Sequence, residues 1–478
     1  KQMQISRFTV DLPGAFSMKG GGILENLADS LTRSGTIGLD MITQNLNFLT
    51  ALTGEAPNGT IVIPDSMNLK ARVELKGPEY KANLHLKQGQ GSMGVNAELN
   101  TSTEAYAADL KIDNLQLHNF LPKDSIYELS LSADAKGRGL DVMSYRALAK
   151  LNLSLDQLHY ARYQLSNVHL TGALKGALVT ANLTSDNALL KMTTDAEYNL
   201  AHRYPDGKVT VDVTQLDLHE LGLMPQPMKR PLAFNLSAEA RQNRVFTHLT
   251  SGDMKLNLSA RSGVNPLISQ STHFMDVLMK QIDEKALNHA ELREALPTAI
   301  LSFSAGKENP LAYFLATKNI SYHDVSMKFG TAPDWGINGK AAVHALKMDT
   351  LQLDTIFFTV KQDTTLMKLR AGVINGPKNP QFSFATTLTG EIRDRDAELL
   401  VDYKNGKGET GVLLGVNARP LFEGHGKGNG IAFTLIPENP IVAFQRFHFN
   451  ENHNWIYLHK NMRVYANVDM WDEEGMGF

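Results

Sequence analysis

The segment 68–99 reads NLKARVELKGPEYKANLHLKQGQGSMGVNAEL and carries the strongest structural signal in the chain. In its first nine residues, Leu69, Ala71 and Val73 alternate with charged side chains. The same alternation restarts after Gly77 and again after Gly91. Successive side chains of a β-strand point to opposite faces, so a period of two residues indicates strands with one apolar and one solvated face. The segment therefore predicts three consecutive antiparallel strands.

The alternation continues through residues 106–112 and reappears at 367–373, 397–403 and 464–470. Gly, Pro, Asn and Asp separate the runs, as is typical of turns between strands. We predict a mainly β protein built on a long curled antiparallel sheet with a central helical insert. The side chains that alternation assigns to the apolar face are Leu69, Ala71, Val73, Leu75, Tyr80, Ala82, Leu84, Leu86, Met93, Val95, Ala97, Leu99, Leu110, Met367, Leu369, Ala371, Val401, Val464 and Val468.

The composition limits the classes of function. The chain has 478 residues, and 47 Lys and Arg against 50 Asp and Glu give a formal net charge of -3. This balance argues against a nucleic-acid-binding protein, which needs clustered cations. Cysteine is absent from the sequence, which excludes disulfides, thiolate metal sites and cysteine nucleophiles and suits passage through an oxidising compartment. We expect an envelope protein that is a piece of a longer chain.

Two short motifs recur at a separation of 105 residues. LSADAK at 131–136 returns as LSAEAR at 236–241, and LNLS at 151–154 returns at 256–259. The recurrence predicts a body extended along one axis, in which each repeat mainly contacts its neighbours.

Helical periodicity is confined to a few places. Residues 23–28 follow a glycine run and predict a short amphipathic helix. A longer helical interval, 265–297, has an apolar stripe formed by Phe274, Met275, Leu278 and Ile282. Such a stripe is more typical of a helix docked on a neighbouring sheet than of one lying on a membrane surface. We predict that this helix lies across the mouth of the apolar face and covers it.

The predicted elements divide the chain into four regions. Residues 1–60 hold leading strands and a short helix, 61–262 a repeated β-region, 263–320 the helical insert, and 321–478 a second β-region. Two helix starts are expected within the insert, at Asn288 with Glu291 and at Asn309 before Pro310. These residue types are favoured at the cap and in the first turn of a helix.

No catalytic motif stands out. The glycine-rich residues 424–430 lead into a strand instead of a helix, so we interpret them as a turn and not as a phosphate-binding loop. His448, Glu451, His453 and His459 lie close in sequence but lack the spacing of a helical zinc site, and we interpret them as solvated side chains around a hairpin turn. We predict that the protein is not an enzyme and uses no cofactor or metal.

Many of the predicted apolar positions are small. Alanine recurs among the Leu, Val and Met residues, and aromatic residues make up only 8% of the sequence. The core of a β-sandwich is filled by bulky side chains, whereas small apolar ones leave room beside the sheet. The pattern favours a groove that holds a mobile apolar guest.

Four motifs resemble the TamB family, within the AsmA-like superfamily of bridge-like lipid-transfer proteins. They are QNLNFLTALTG at 44–54, LQLHNFLP at 115–122, LDLHELGLMP at 216–225 and LQLDTI at 351–356. The resemblance implies a taco-like periplasmic β-groove that conducts phospholipid or another acyl lipid between inner and outer membranes and supports outer-membrane biogenesis. It also implies an inner-membrane anchor outside this sequence, and an Omp85-type outer-membrane barrel as a partner of regions outside this fragment.

Two other classes of protein also have alternating strands. An outer-membrane β-barrel has strands of about ten residues, but it carries aromatic girdles and no helical insert in mid-chain. A β-scaffold enzyme acting on glycans needs converging carboxylates and exposed aromatic platforms. The apolar face separates the three classes, because it is open and inward in a groove, outward in a barrel and packed shut in an enzyme scaffold.

Overall fold

The computed structural model describes residues 2–45, 64–224, 227, 231–284, 286–421, 430–459 and 463–477 of the chain. Within these residues there are 29 β-strands, assigned to one large antiparallel sheet, and three α-helices. The chain divides into two compact units, unit 1 at Lys1–Ala233 and unit 2 at Phe234–Phe478. The prediction of a mainly β protein with an antiparallel sheet is confirmed.

Unit 1 contains the strands β1 (Gln2–Leu12), β2 (Phe16–Glu25), β3 (Ser34–Thr43), β4 (Met67–Lys76), β5 (Glu79–Gln88), β6 (Gly91–Asn100), β7 (Ala105–Gln116), β8 (Ile126–Arg138), β9 (Leu148–Tyr160), β10 (Tyr163–Leu165), β11 (Val168–Lys175), β12 (Leu178–Asp186), β13 (Leu190–Asn199) and β14 (Gly207–Leu216). Strands adjacent in the chain pair antiparallel, and β9 pairs with both the short β10 and β11. The three strands predicted within residues 68–99 are β4, β5 and β6.

Unit 2 contains the strands β15 (Leu232–Arg241), β16 (Arg244–Ser251), β17 (Met254–Ala260), β18 (Ala299–Ala305), β19 (Ile320–Ser321), β20 (Asp324–Ala332), β21 (Gly336–Met348), β22 (Leu351–Gln362), β23 (Met367–Asn375), β24 (Phe384–Ile392), β25 (Ala397–Asn405), β26 (Thr410–Leu421), β27 (Gly430–Val442), β28 (Gln445–His459) and β29 (Val464–Asp472). They also pair antiparallel in chain order, except that β18 pairs with β20 and the two-residue β19 pairs with β21.

The helices of the described residues lie in unit 2: α1 (Val264–Glu284), α2 (His289–Glu294) and α3 (Pro310–Ala316). Asn288 caps α2 by accepting a hydrogen bond from the Glu291 backbone N–H at 3.1 Å. Asn309 caps α3 in the same way, accepting from the Ala312 N–H at 2.9 Å. Both bonds satisfy amides that have no partner within the helix, so the two predicted helix starts are present.

The prediction of a short helix at residues 23–28 is wrong, because the first three of these residues belong to strand β2. A Cβ at Gly20 of β2 would collide with the Phe8 side chain, and one at Gly22 would collide with the backbone of Thr36 and Ile37 on the neighbouring strand. Glycine is also a poor helix former, since it loses more backbone freedom than other residues. The glycine run therefore marks close packing within a sheet.

The interval 263–320 is not helical throughout. Strand β18 lies between α2 and α3 in the chain and pairs with β17 on one side and β20 on the other. The sheet thus continues through the interval that the sequence assigned to an insert.

The repeated motifs do not mark a repeat of topology. Residues 131–136 and 151–154 lie on the adjacent strands β8 and β9. Their counterparts at 236–241 and 256–259 lie on β15 and β17, with β16 between them. The motifs recur because strands with one apolar face need the same alternation of Leu or Ala with polar residues.

Candidate functional site: an apolar face in each unit

One face of the unit 1 sheet is apolar, because apolar residues of neighbouring strands stand directly opposite one another. Leu84 pairs with Ala71 of β4 and with Val95 of β6, and Val95 pairs with Leu110 of β7. The row continues over β8, β9, β11 and β12 through Ala133, Leu153, Leu170 and Leu183. All the predicted positions between Leu69 and Leu110 share this surface, the unit 1 apolar face.

One end of the unit 1 apolar face is covered by the chain that follows β7. The buried cluster there consists of Met67, Leu86, Ile112 and Leu115. Leu117, in a single 3-10 turn (Leu117–Asn119), and Phe120 just after it pack against this cluster. These residues belong to the LQLHNFLP motif, so the motif has a packing role in this chain.

Other parts of the unit 1 apolar face are open to solvent. Val73 is 44% exposed and Leu151 is 37% exposed. Ile37, which pairs directly with Val73, is also exposed. Large apolar side chains that stay in contact with water on neighbouring strands are typical of an interaction or ligand surface.

A row of small residues crosses the unit 1 apolar face. Ala82, Ala97, Ala108 and Ala135 are paired in succession from β5 to β8. Beyond Leu151 the row goes on through Gly172, Ala181 and Ala196. From β5 to β7 the rows on either side carry larger side chains such as Val95 and Leu99, so the small residues form a shallow furrow across these strands.

Unit 2 has an apolar face of the same kind. Leu369 pairs with Val360 and Gly390, and Ala371 pairs with Phe358 and Leu388. The pairing continues from Leu388 to Val401, and Met367 pairs with Ile392 in the same parity. Leu388 and Leu399 on this surface are exposed. We call it the unit 2 apolar face.

The two predicted residues of β29 also belong to the unit 2 apolar face. Between them lies Ala466, which pairs with Ile456 of β28. Ile456 pairs with Phe433 of β27, and Phe433 pairs with Ala418 of β26. Val464 and Val468 therefore have the expected parity, and Val464 is strongly exposed at the last strand.

The predicted cover residues of α1 do not act as one stripe. Phe274 and Leu278 pack on a cluster formed by Val277 of α1 with Leu292 and Ala295 of α2 and its C-cap. Met275 and Ile282 point elsewhere and are 50% and 52% exposed. They share a helix face with two further exposed residues, and we call the set of Ile268, Met275, Met279 and Ile282 the α1 stripe.

A buried histidine, which the sequence reasoning missed, joins α2 to the sheet. His289 is 1% exposed, and its Nε2–H donates to the Ile392 carbonyl at 3.0 Å. Its Nδ1 accepts from the Gln362 side-chain amide at 3.2 Å, and the Gln362 oxygen accepts from the Ile337 N–H at 3.1 Å. The arrangement ties α2 to β21, β22 and β24. Only the Asn288 cap beside it hinted at a structural role.

An apolar pocket of about 250 Å³ lies where the end of α1 meets the strand ends of β24 to β27. Its apolar lining residues include Ile282, Leu287, Ile392, Ala397, Ala418 and Ile431. Arg393 and Asp396 stand at its rim and form an ion pair at 3.3 Å. We call this cavity the junction pocket.

The opposite, polar face of unit 1 also has open depressions. One of about 490 Å³ is lined by residues such as Lys150, Asn182 and Glu197, and an adjacent one of about 440 Å³ by residues such as Lys111 and Asp134. These side chains pair among themselves across strands, for example Asn182 with Asp195 at 2.8 Å. Hydrated, mutually bonded side chains of this kind are expected on a solvated sheet face.

The described residues do not assemble a metal centre. No group of three or more His, Asp or Glu in that part of the chain could hold a metal ion. The candidate histidines His448, His453 and His459 all lie on β28, so the expected turn between them is wrong. His448 bonds Asn439 at 2.6 Å, and the glycine-rich residues 424–429 lie outside the described residues.

Asp324 of β20 has two histidine partners. The Nδ1 atoms of His323 and His344 donate to its two oxygens at 2.9 and 2.8 Å. The bonds from His323 and His344 hold the pKa of Asp324 below its ordinary value, although partial burial opposes them. The carboxylate is therefore kept charged by its neighbours.

No protein-family model, curated protein or solved structure matches this chain. None of the helices in the described ranges is long and apolar enough to cross a membrane. The likeness to the TamB family thus depends on the four sequence motifs, of which residues 46–54 and 225 lie outside the described residues.

Proposed function

We propose that the apolar faces carry the acyl chains of lipids, and that the protein conducts lipids and catalyses no reaction. The observation that supports this function most directly is the pairing of apolar residues across successive strands, with large side chains such as Val73 and Leu388 still exposed. A face destined only for a protein core would be buried throughout.

The energetics favour such a surface for lipid tails. Each buried methylene contributes about 0.8 kcal/mol, so moving one long acyl chain through water costs on the order of 10 kcal/mol. A continuous row of apolar side chains removes most of this barrier. Because the faces are open at positions such as Val73 and Leu151, a charged headgroup stays in water while the tail lies on the sheet.

The furrow of small residues supports the same function. Ala82, Ala97 and Ala108 leave room at the centre of the unit 1 apolar face, while their flanking rows supply Leu84, Val95 and larger neighbours. A chain of methylenes fits against such a surface without needing specific polar contacts. Passage along it requires no side chain to break a hydrogen bond.

The cellular setting is part of the proposal and is supported by the sequence motifs. We place the protein in the periplasm, where it carries phospholipid or another acyl lipid between inner and outer membranes and supports outer-membrane biogenesis. By the same resemblance we infer an inner-membrane anchor and an Omp85-type barrel as a partner. Nucleic acid is not a partner, given the formal net charge of -3.

Site-specific photo-crosslinking in cells tests the proposal. A crosslinking amino acid at Val95 should capture lipid, because Val95 lies in the centre of the unit 1 apolar face. The matched control is the next residue, Asn96, which points to the polar face and should capture none. Leu369 and Arg370 provide the same comparison in unit 2. Equal labelling at both members of each pair would contradict a lipid-binding face.

A further inference from the structure

We infer that the junction pocket binds the end of a single acyl chain. The inference rests on the proposed function, since it takes an acyl lipid as the guest, and it assigns one defined site on unit 2. The pocket lies between Ile282 of α1 and the strand ends that carry Ile392, Ala397 and Ala418.

The space exists because small residues meet at one point of the sheet. Ala397 pairs with Ala418, and Pro420 pairs with Ile431 on the next strand. Opposite them, Ile282 and Leu287 face the cavity from the helical segment. Side chains of ordinary size at the two alanine positions would fill the volume.

The chain that follows α1 is held beside the pocket by two hydrogen bonds. The Leu287 N–H donates to the Asp394 carbonyl at 2.8 Å. Two residues further on, His289 donates to the Ile392 carbonyl at 3.0 Å. These bonds keep the segment from collapsing onto the strands, so the cavity is a built feature of the fold.

The chemistry of the lining selects an apolar, narrow guest. The charge of Arg393 is compensated, since Arg393 pairs with Asp396 at 3.3 Å and also with Glu391. A volume of about 250 Å³ is several times the share of one water molecule, roughly 30 Å³, so this open pocket has room for several methylene groups. The pocket accommodates part of an acyl chain and is too small for a folded partner.

The pocket is continuous with the unit 2 apolar face. Ile392 pairs with Met367, and Ala397 pairs with Ile392, so two lining residues belong to that face. A chain lying on the sheet therefore reaches the pocket without crossing water.

The test uses the purified full chain and dansylated undecanoic acid as the probe. Filling the cavity with Ala418→Phe should weaken probe binding about tenfold, the equivalent of losing roughly two buried methylenes. Asn417→Phe adds the same ring on the opposite face and should leave binding unchanged. Dansylglycine, which lacks the chain, should not show saturable binding.

A second pair of variants tests the pocket from its helical side, so that the result does not depend on Ala418→Phe folding correctly. Ile282→Asn removes an exposed apolar lining residue and should also weaken probe binding, whereas Asp283→Asn next to it should not. Unchanged probe binding in both Ala418→Phe and Ile282→Asn would contradict acyl-chain binding in the junction pocket. Lipid capture at Val95 would in that case still support the proposed function. Pocket-dependent probe binding without lipid capture at Val95 would support the pocket and contradict the proposed function.

Discussion

The two units attach a non-strand segment to their sheets by different means. In unit 1, Leu117 and Phe120 follow β7 directly and pack on the cluster that contains Leu115. In unit 2, the helices α1 and α2 are attached beside the strand ends and share a cluster that contains Val277 and Leu292. The unit 1 segment shares one core with its sheet, whereas the unit 2 helices have a core of their own.

This difference determines which of the two segments can separate from its sheet more easily. The unit 1 turn cannot leave without exposing Leu115, which is 4% exposed. The unit 2 helices are tied to the strands by the hydrogen bonds of Leu287, His289 and Arg293. Breaking a few hydrogen bonds costs less than opening a buried cluster, so we expect α1 and α2 to open locally before the sheet does.

The largest expected effect is in the shared core of unit 1. Leu115→Ala should lower the free energy of unfolding by about 2–5 kcal/mol, because it removes buried methylenes and leaves a cavity. Denaturant unfolding combined with hydrogen exchange at β7 and β8 measures the change. Leu151→Ala removes the same atoms from the open part of this face and should cost less than about 1 kcal/mol. Equal costs would mean that the two positions do not differ in burial as described.

The second effect concerns the attachment of the unit 2 helices. His289→Ala should cost about 1–3 kcal/mol, because the Ile392 carbonyl and the Gln362 amide lose their buried partner. Hydrogen exchange should rise in α1 and α2 while β23 to β25 stay protected. His273→Ala, at an exposed position of α1, is the control and should change neither. Loss of protection in the strands would show that helices and sheet form one cooperative unit.

The sequence predicted the faces well because backbone geometry sets them. In a strand the direction of each side chain follows from its parity, so Leu69 to Leu110 could be assigned without knowing any partner strand. Which strands pair followed from short turns between alternating runs. Alternation alone was therefore sufficient for the apolar faces of both units.

The packing of the helices in unit 2 could not be predicted in the same way. Two adjoining sectors of α1 are apolar, and periodicity does not tell which packs on α2, so Phe274 and Ile282 were placed together although they point to different surroundings. His289 depends on Gln362, 73 residues away in the chain. Contacts of that range arise from tertiary packing, and no local pattern around His289 encodes them.

The third effect separates the open and covered parts of the unit 1 apolar face. Val73→Arg should leave the fold nearly intact, because a residue 44% exposed allows the long side chain to reach water. It should still reduce lipid capture at the paired strands, since a charge on an apolar path is costly. Leu86→Arg places the same charge in the buried cluster and should unfold unit 1. Circular dichroism and crosslinking at Val95 distinguish these outcomes.

The smallest expected effect on stability concerns two carboxylates, one on the polar face of each unit. In unit 1, the carboxylate of Asp134 is bonded by an amide, that of Asn152, at 2.9 Å. In unit 2, two titratable side chains, His323 and His344, bond Asp324. We therefore expect the two histidines to give Asp324 a stabilising contribution that is lost in acid. An amide-bonded carboxylate receives no such contribution from histidines.

The sign of this contribution follows from the lowered pKa of Asp324, caused first by the bond from His323 and then by that from His344. A carboxyl whose folded pKa is lowered stabilises the fold above its unfolded value, about 3.9, and the contribution is lost as pH falls through the folded value. At neutral pH, Asp324→Asn should cost less than about 1 kcal/mol, because the side chain is 42% exposed and screened. In acid the variant and the parent should become equally stable. Replacing both histidines with Ala, which has no donor, should return the carboxyl pKa, followed by NMR, towards its ordinary value, and an unchanged pKa would contradict the assigned cause.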